Sequence, residues 1–150
     1  MHRISDSRGF SSVELMIALS LLSVLIGIGF LSTMTLQRRD RDTKRMNDID
    51  AIHKNVESYF AKKAFYPTLD AINSKVWLKE NLPLLDYDSL RDPLGTEQKL
   101  AGKPAGNVYS YAVTAADGAG CDNVTVMCKK YTLTAVKQES GKFYAKSNIN

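Results

Sequence analysis

Hydrophobic and polar positions change regime twice along the chain. From Leu15 to Gln37, LMIALSLLSVLIGIGFLSTMTLQ, 23 residues carry no charge. At 1.5 Å per residue the run covers roughly 34 Å, enough to cross a hydrocarbon core of about 30 Å. From Met46 onward the pattern is periodic: Met46, Ile49, Ile52 (or His53), Val56, Tyr59 and Phe60 recur at three- and four-residue spacing. That spacing predicts an amphipathic helix laying one face on a core. The two stretches together predict one helix from about residue 11 to about 62, roughly 75–80 Å long.

The remainder mixes turn signals and alternation. Pro67-Thr68 predicts a short helix over about 69–81, with Thr68 as N-cap and an end before Pro83. Residues 89–107 are rich in turn formers and predict a loop. Strand patterns follow at 108–115, 123–128, 130–137 and 142–147, with Gln138-Glu139-Ser140-Gly141 as a turn. The expected fold class is α+β. A long N-terminal helix, membrane-spanning in its first half and amphipathic in its second, packs against a small antiparallel sheet of three or four strands.

Length and charge refine this only slightly. The chain has 150 residues and a formal charge of +4, which suits one small domain tethered to a membrane. Most of the excess sits in RRDRDTKR (38–45), with five basic and two acidic side chains. The block reads as a solvated, membrane-proximal stretch touching lipid headgroups. Its mixed signs and lack of interleaved aromatics count against a DNA contact. No Gly-rich phosphate loop, metal-ligand spacing or Ser/His/Asp set stands out, so the chain is not expected to be an enzyme or to need a cofactor. His53 reads as one more residue of the amphipathic face.

Cys121 and Cys128 lie in the C-terminal third with six residues between them. A disulfide is the expectation if that part is exported, with free structural cysteines as the alternative. Asp117-Gly118 and Asp122 hint at a calcium loop, but their spacing matches no EF-hand and an ordinary loop is the simpler reading. Asn123-Val124-Thr125 fits a glycosylation sequon.

The N-terminus departs from a secretory signal. Its apolar run is too long, no small-residue cleavage site follows it, and Gln37-Arg38-Arg39 comes next. A short basic leader, MHRISDSR, instead precedes Gly9-Phe10, and Glu14 stands four residues on at the head of the run. This arrangement resembles the N-terminal signature of type IV prepilins and of the pseudopilins of type II secretion. Ser11-Ser12-Val13 is more polar than the family's usual Thr-Leu-Ile. Leu31 stands near where the family often has proline.

The resemblance implies removal of residues 1–9 by a membrane peptidase that cuts between Gly9 and Phe10, and methylation of the new Phe10 amine. It implies residues 10–37 as the polymerisation half of the helix, 38–62 as the amphipathic half and 63–150 as a globular head. Glu14 lies one helical turn from the Phe10 amine, its own or a neighbour's. An unpaired carboxylate is costly in lipid, so pairing would fix subunit register. Gly27 and Gly29 suit either local unwinding or close helix packing.

Further partners implied are copies of the chain, minor pilins and an assembly platform. The implied location is the bacterial cytoplasmic membrane, head outside, and then a surface filament. A pilus subunit is the preferred version, with a secretion pseudopilin or DNA-uptake pilin as alternatives. Tyr66-Pro67-Thr68 and Arg91-Asp92-Pro93-Leu94-Gly95 resemble pseudopilin stretches, with Leu94 in place of a tryptophan. A monomeric membrane-anchored binding domain is the competing class. The positive-inside rule opposes the implied orientation, since the 38–45 block carries +3 against +1 for the leader.

Overall fold

The computed structural model describes residues 11–149, with the side chains of 28–32 outside the description. The fold is α+β: a long helix and two short ones, a 3-10 turn and a three-stranded antiparallel sheet. The chain divides into two units between Gln37 and Arg38.

Helix α1 (Ser12–Lys63) opens in the first unit, with Glu14 in its first turn. Among the described residues no helix is long and apolar enough to cross a membrane. The expected span includes residues 28–32. The described charge-free stretch ahead of them, 15–27, covers only about 20 Å at 1.5 Å per residue.

In the second unit α1 buries one stripe, as its periodicity requires: Ile49, Ile52 and Val56 are fully buried and Tyr59 nearly so. The helix stops at Ala64, whose left-handed φ of 61° and N–H to the Phe60 carbonyl (2.7 Å) form its C-terminal cap. Tyr66 then enters the core, stacked on Phe60 at 4.3 Å and edge-on to Tyr131 at 4.6 Å between ring centroids.

The single helix expected over 69–81 is two, α2 (Leu69–Asn73) and α3 (Lys75–Asn81). Thr68 caps α2 by accepting from the Ala71 amide at 3.2 Å. Ser74 makes the break: its extended backbone closes α2, while its hydroxyl accepts from the Trp77 amide and starts α3. The expected loop over 89–107 begins within a 3-10 turn (Tyr87–Leu90) and buries Leu90 and Leu100. The Asn73 side chain fastens both the N–H and the carbonyl of Leu100.

Strands β1 (Ser110–Thr114), β2 (Lys130–Val136) and β3 (Phe143–Ser147) pair antiparallel in that order. Ala112 opposes Thr132, which opposes Ser147. Tyr111, Tyr131, Leu133 and Ala135 form the buried part of the sheet, in one core with the α1 stripe.

The expected strand at 123–128 does not form. The Asp122 carboxylate accepts from the amides of Val124, Thr125 and Val126 at 2.8–3.0 Å. Those donors are satisfied locally and unavailable to a sheet ladder.

Candidate assembly site

The expected site residues are distributed over both units. Gly9 and Phe10 lie outside the described residues. Glu14 is exposed in the first turn of α1, where the Leu15 amide donates to the Ser11 carbonyl at 3.0 Å. It is the one charged residue between 11 and 37. The ten large apolar side chains from Val13 to Ile26 are each more than half exposed. They occupy so many successive positions that they cover the helix on all sides. Ser20 and Ser23 turn their hydroxyls back onto the Ile17 and Ser20 carbonyls, 2.8 and 2.7 Å away, which hides their polarity.

Such a sleeve needs an apolar cover. Burying even half of these side chains supplies on the order of 10 kcal/mol. Its lone carboxylate would then require a cation, since an unpaired one is costly there. Gly27 lies in the sleeve, and a Cβ built on it meets nothing within 4 Å. Gly29 falls among residues 28–32.

The basic block does not behave as a uniformly solvated surface. Arg45 is 1% exposed, and Asp42 and Asp92 are buried with it. Arg45 reaches Asp92 through Nε–H to Oδ2 (2.6 Å) and Nη2–H to Oδ1 (2.9 Å), and reaches Asp42 through Nη1–H (2.8 Å). Asp42 also accepts from the amides of Gln138 and Glu139 in the β2–β3 turn. The burial has a helical cause: Asp42, Arg45, Asp48 and Ile49 follow three- and four-residue spacing, so the charges extend the buried stripe. Burial alone raises the Asp42 carboxyl, but the Glu139 and Gln138 amides and Arg45 hold it below the usual aspartate value. Hydrogen bonding to Asp92 keeps Arg45 more firmly protonated than usual.

Pro93 and Gly95 complete the Asp92 turn. The Leu94 amide donates to Asp92 Oδ1, and a Cβ on Gly95 would lie 2.6 Å from the Asn107 carbonyl oxygen. Only glycine fits there.

A second polar cluster joins α1 to the sheet. Tyr131 donates its hydroxyl proton to Glu57 (2.8 Å), so the 2.6 Å contact with His53 Nδ1 requires the proton on that nitrogen. Tyr66 also donates to Glu57, and Tyr109 to Asp48 at 2.8 Å. Burial first, then these carboxylates, push the Tyr109 and Tyr131 hydroxyls far up. Every buried side-chain polar atom among the described residues has a partner. Both clusters therefore fasten the head to α1.

Cys121 and Cys128 are joined in a disulfide. Asp122 in that loop is held well below the usual aspartate value by its bonds from the Val126, Val124 and Thr125 amides and the Thr125 hydroxyl. Asp117 accepts from the Ala119 amide. No group of three metal-ligating side chains occurs among the described residues. Asn123 uses its whole amide internally, donating to the Tyr66 carbonyl (2.7 Å) and accepting from the Cys128 amide (2.8 Å). Glycosylation at this sequon would load a sugar onto the same nitrogen that donates to the Tyr66 carbonyl, leaving the Oδ1 acceptor in place.

Comparison with family models, with curated proteins and with solved structures finds no match. The reading of the site therefore rests on its own residues. The parts that sequence reasoning missed, Arg45–Asp92 and Glu57–Tyr131–His53, depend on pairings 47, 74 and 78 residues apart in sequence. Their local signal is a charged or polar residue in phase with an apolar helical stripe.

Proposed function

We propose that this chain is a pilin-like structural subunit, inserted as a prepilin, cut between Gly9 and Phe10, and polymerised through the apolar half of α1. The observation that carries the reading is Glu14. It is a lone carboxylate in the first turn of a helix whose next dozen residues form an exposed apolar sleeve. Cleavage creates an ammonium at Phe10, one turn away, which supplies the cation this carboxylate needs once the sleeve is covered. Before assembly the charge-free run 15–37 would rest in the membrane; afterwards neighbouring helices would cover it.

A pilus subunit serving adhesion, motility or uptake is the version favoured by the disulfide-closed loop at 121–128. A secretion pseudopilin is the second reading, favoured by the Asp92–Gly95 turn. Electron microscopy of sheared cell surfaces tests the proposal. Filaments are expected from the wild-type chain and not from Glu14→Ala, with equal chain in the membrane. Normal filaments from the variant would overturn the pairing. Intact filaments with lost secretion on deleting the gene would favour the second version.

A further inference from the structure

Both outer strands of the sheet present open edges, and they are unlike each other. In β1, residues 110, 112 and 114 face β2, so Tyr111 and Val113 direct their main-chain groups outward. The incoming segment at Ala101 bonds the first part of this edge: its N–H reaches the Tyr109 carbonyl and its carbonyl accepts from the Tyr111 amide, both at 2.8 Å. That parallel ladder stops after one bridge, because the chain turns away at Gly102. Among the described residues, no backbone group then meets the Tyr111 carbonyl or the Val113 N–H on the outer side. A cleft of about 490 Å³ lies here, with Leu69 and Asp70 on one wall and Gly120 and Asp122 on another. Its carboxylate-bearing lining residues are Asp70 and Asp122, and no basic side chain among the described residues lines it.

At the opposite end of the sheet, Tyr144 and Lys146 face α1 and bond Asp50. Residues 143, 145 and 147 direct their main-chain groups away from β2. Phe143 is 64% exposed, and Lys142 and Lys146 flank it along the strand. Among the described residues this edge is basic at Lys142 and open on its outer side, whereas the β1 edge is acidic at Asp70 and open only from the Tyr111 carbonyl to Val113, because the Ala115 N–H donates to the Ala119 carbonyl.

We infer that the β3 edge of one copy adds to the β1 edge of the next, continuing the parallel ladder that Ala101 begins. Strands β1 and β3 run parallel within one sheet, so a translated copy presents β3 to β1 in the required direction. Main-chain hydrogen bonds supply the pairing, and Lys142 against Asp70 supplies its polarity, since Lys146 already pairs with Asp50 and the Asp122 carboxylate is filled by donors of its own loop. The contact is heterologous: β1 meets β3, never itself, so it extends into an open array rather than closing a dimer. The inference rests on the filament reading for its setting, since it gives the heads a contact additional to the helix sleeve.

Photo-cross-linking in cells tests it, with p-benzoylphenylalanine at position 143 of the full chain. The expected product is a two-copy adduct whose linked peptide falls within 69–70 or 111–122. Asp70→Lys should lower its yield about fivefold, and adding Lys142→Glu should restore it. Filaments without this adduct overturn the edge contact and leave the filament reading intact. Adduct without filaments supports the edge contact and overturns the filament reading. Absence of both, with the chain folded and present in the membrane, overturns both.

Discussion

Arg45 and Asp92, 47 residues apart in sequence, meet through two hydrogen bonds of 2.6 and 2.9 Å with both side chains 2% exposed. This pair ties the loop after the 3-10 turn to α1. Asp92→Ala would strand a buried guanidinium with only Asp42 for a partner, at a cost of about 3 kcal/mol. Replacing both residues, Arg45→Met with Asp92→Leu, should recover most of that loss. Denaturant unfolding of the detergent-solubilised chain measures it. A loss below about 1 kcal/mol for Asp92→Ala would show that the pair does not hold the loop.

Acid should loosen the same cluster. The Asp42 carboxyl is lowered in the folded chain relative to its ordinary 3.8. A lowered folded value means that the charged form favours folding. Its contribution is fully present above about pH 4 and is lost as pH falls through the folded value. The difference in melting temperature between wild type and Asp42→Asn should be constant from pH 5 to 7 and shrink below about pH 4. A difference that grows on acidification would reverse the sign of this linkage.

The ring closed by Cys121 and Cys128 is small, with a sequence separation of 7. Loop entropy alone gives it about 2–3 kcal/mol. Cys128 is fully buried whereas Cys121 is only half-buried. Cys121→Ala should therefore lose the cross-link alone, and Cys128→Ser should lose more by placing a hydroxyl in the core. Thermal melts of the two variants separate these effects; equal losses would contradict the burial argument.

Gly27 should matter to assembly and not to the single chain. A Cβ there meets nothing within 4 Å, and replacing glycine inside a helix contributes up to about 1 kcal/mol of helix stability. Gly27→Leu is expected to leave helicity by circular dichroism unchanged or raised while filament yield falls. Unchanged filaments would remove Gly27 from the assembly surface.

The long helix was legible because its two patterns are local: a charge-free run and a three-four apolar spacing. Its structural end at Lys63 lies one residue from the expected 62. Three of the four expected strands form. The fourth, 123–128, alternates like a strand, but Asp122 captures three consecutive amides and a side chain thereby overrides propensity. The break at Ser74 was missed for a similar reason, since one hydroxyl both ends and starts a helix. Sequence alone makes Arg45 look solvated because its carboxylate partner Asp92 lies in a distant loop, and no local pattern encodes that pairing.

On the proposed function, Glu14 acquires its partner when the chain is cut. Intact mass and N-terminal sequencing of the chain, purified from membranes of a host carrying a prepilin peptidase, test it most directly. The expected product lacks residues 1–9 and begins at a methylated Phe10. A chain that keeps its first nine residues, in cells that process another prepilin, would contradict it.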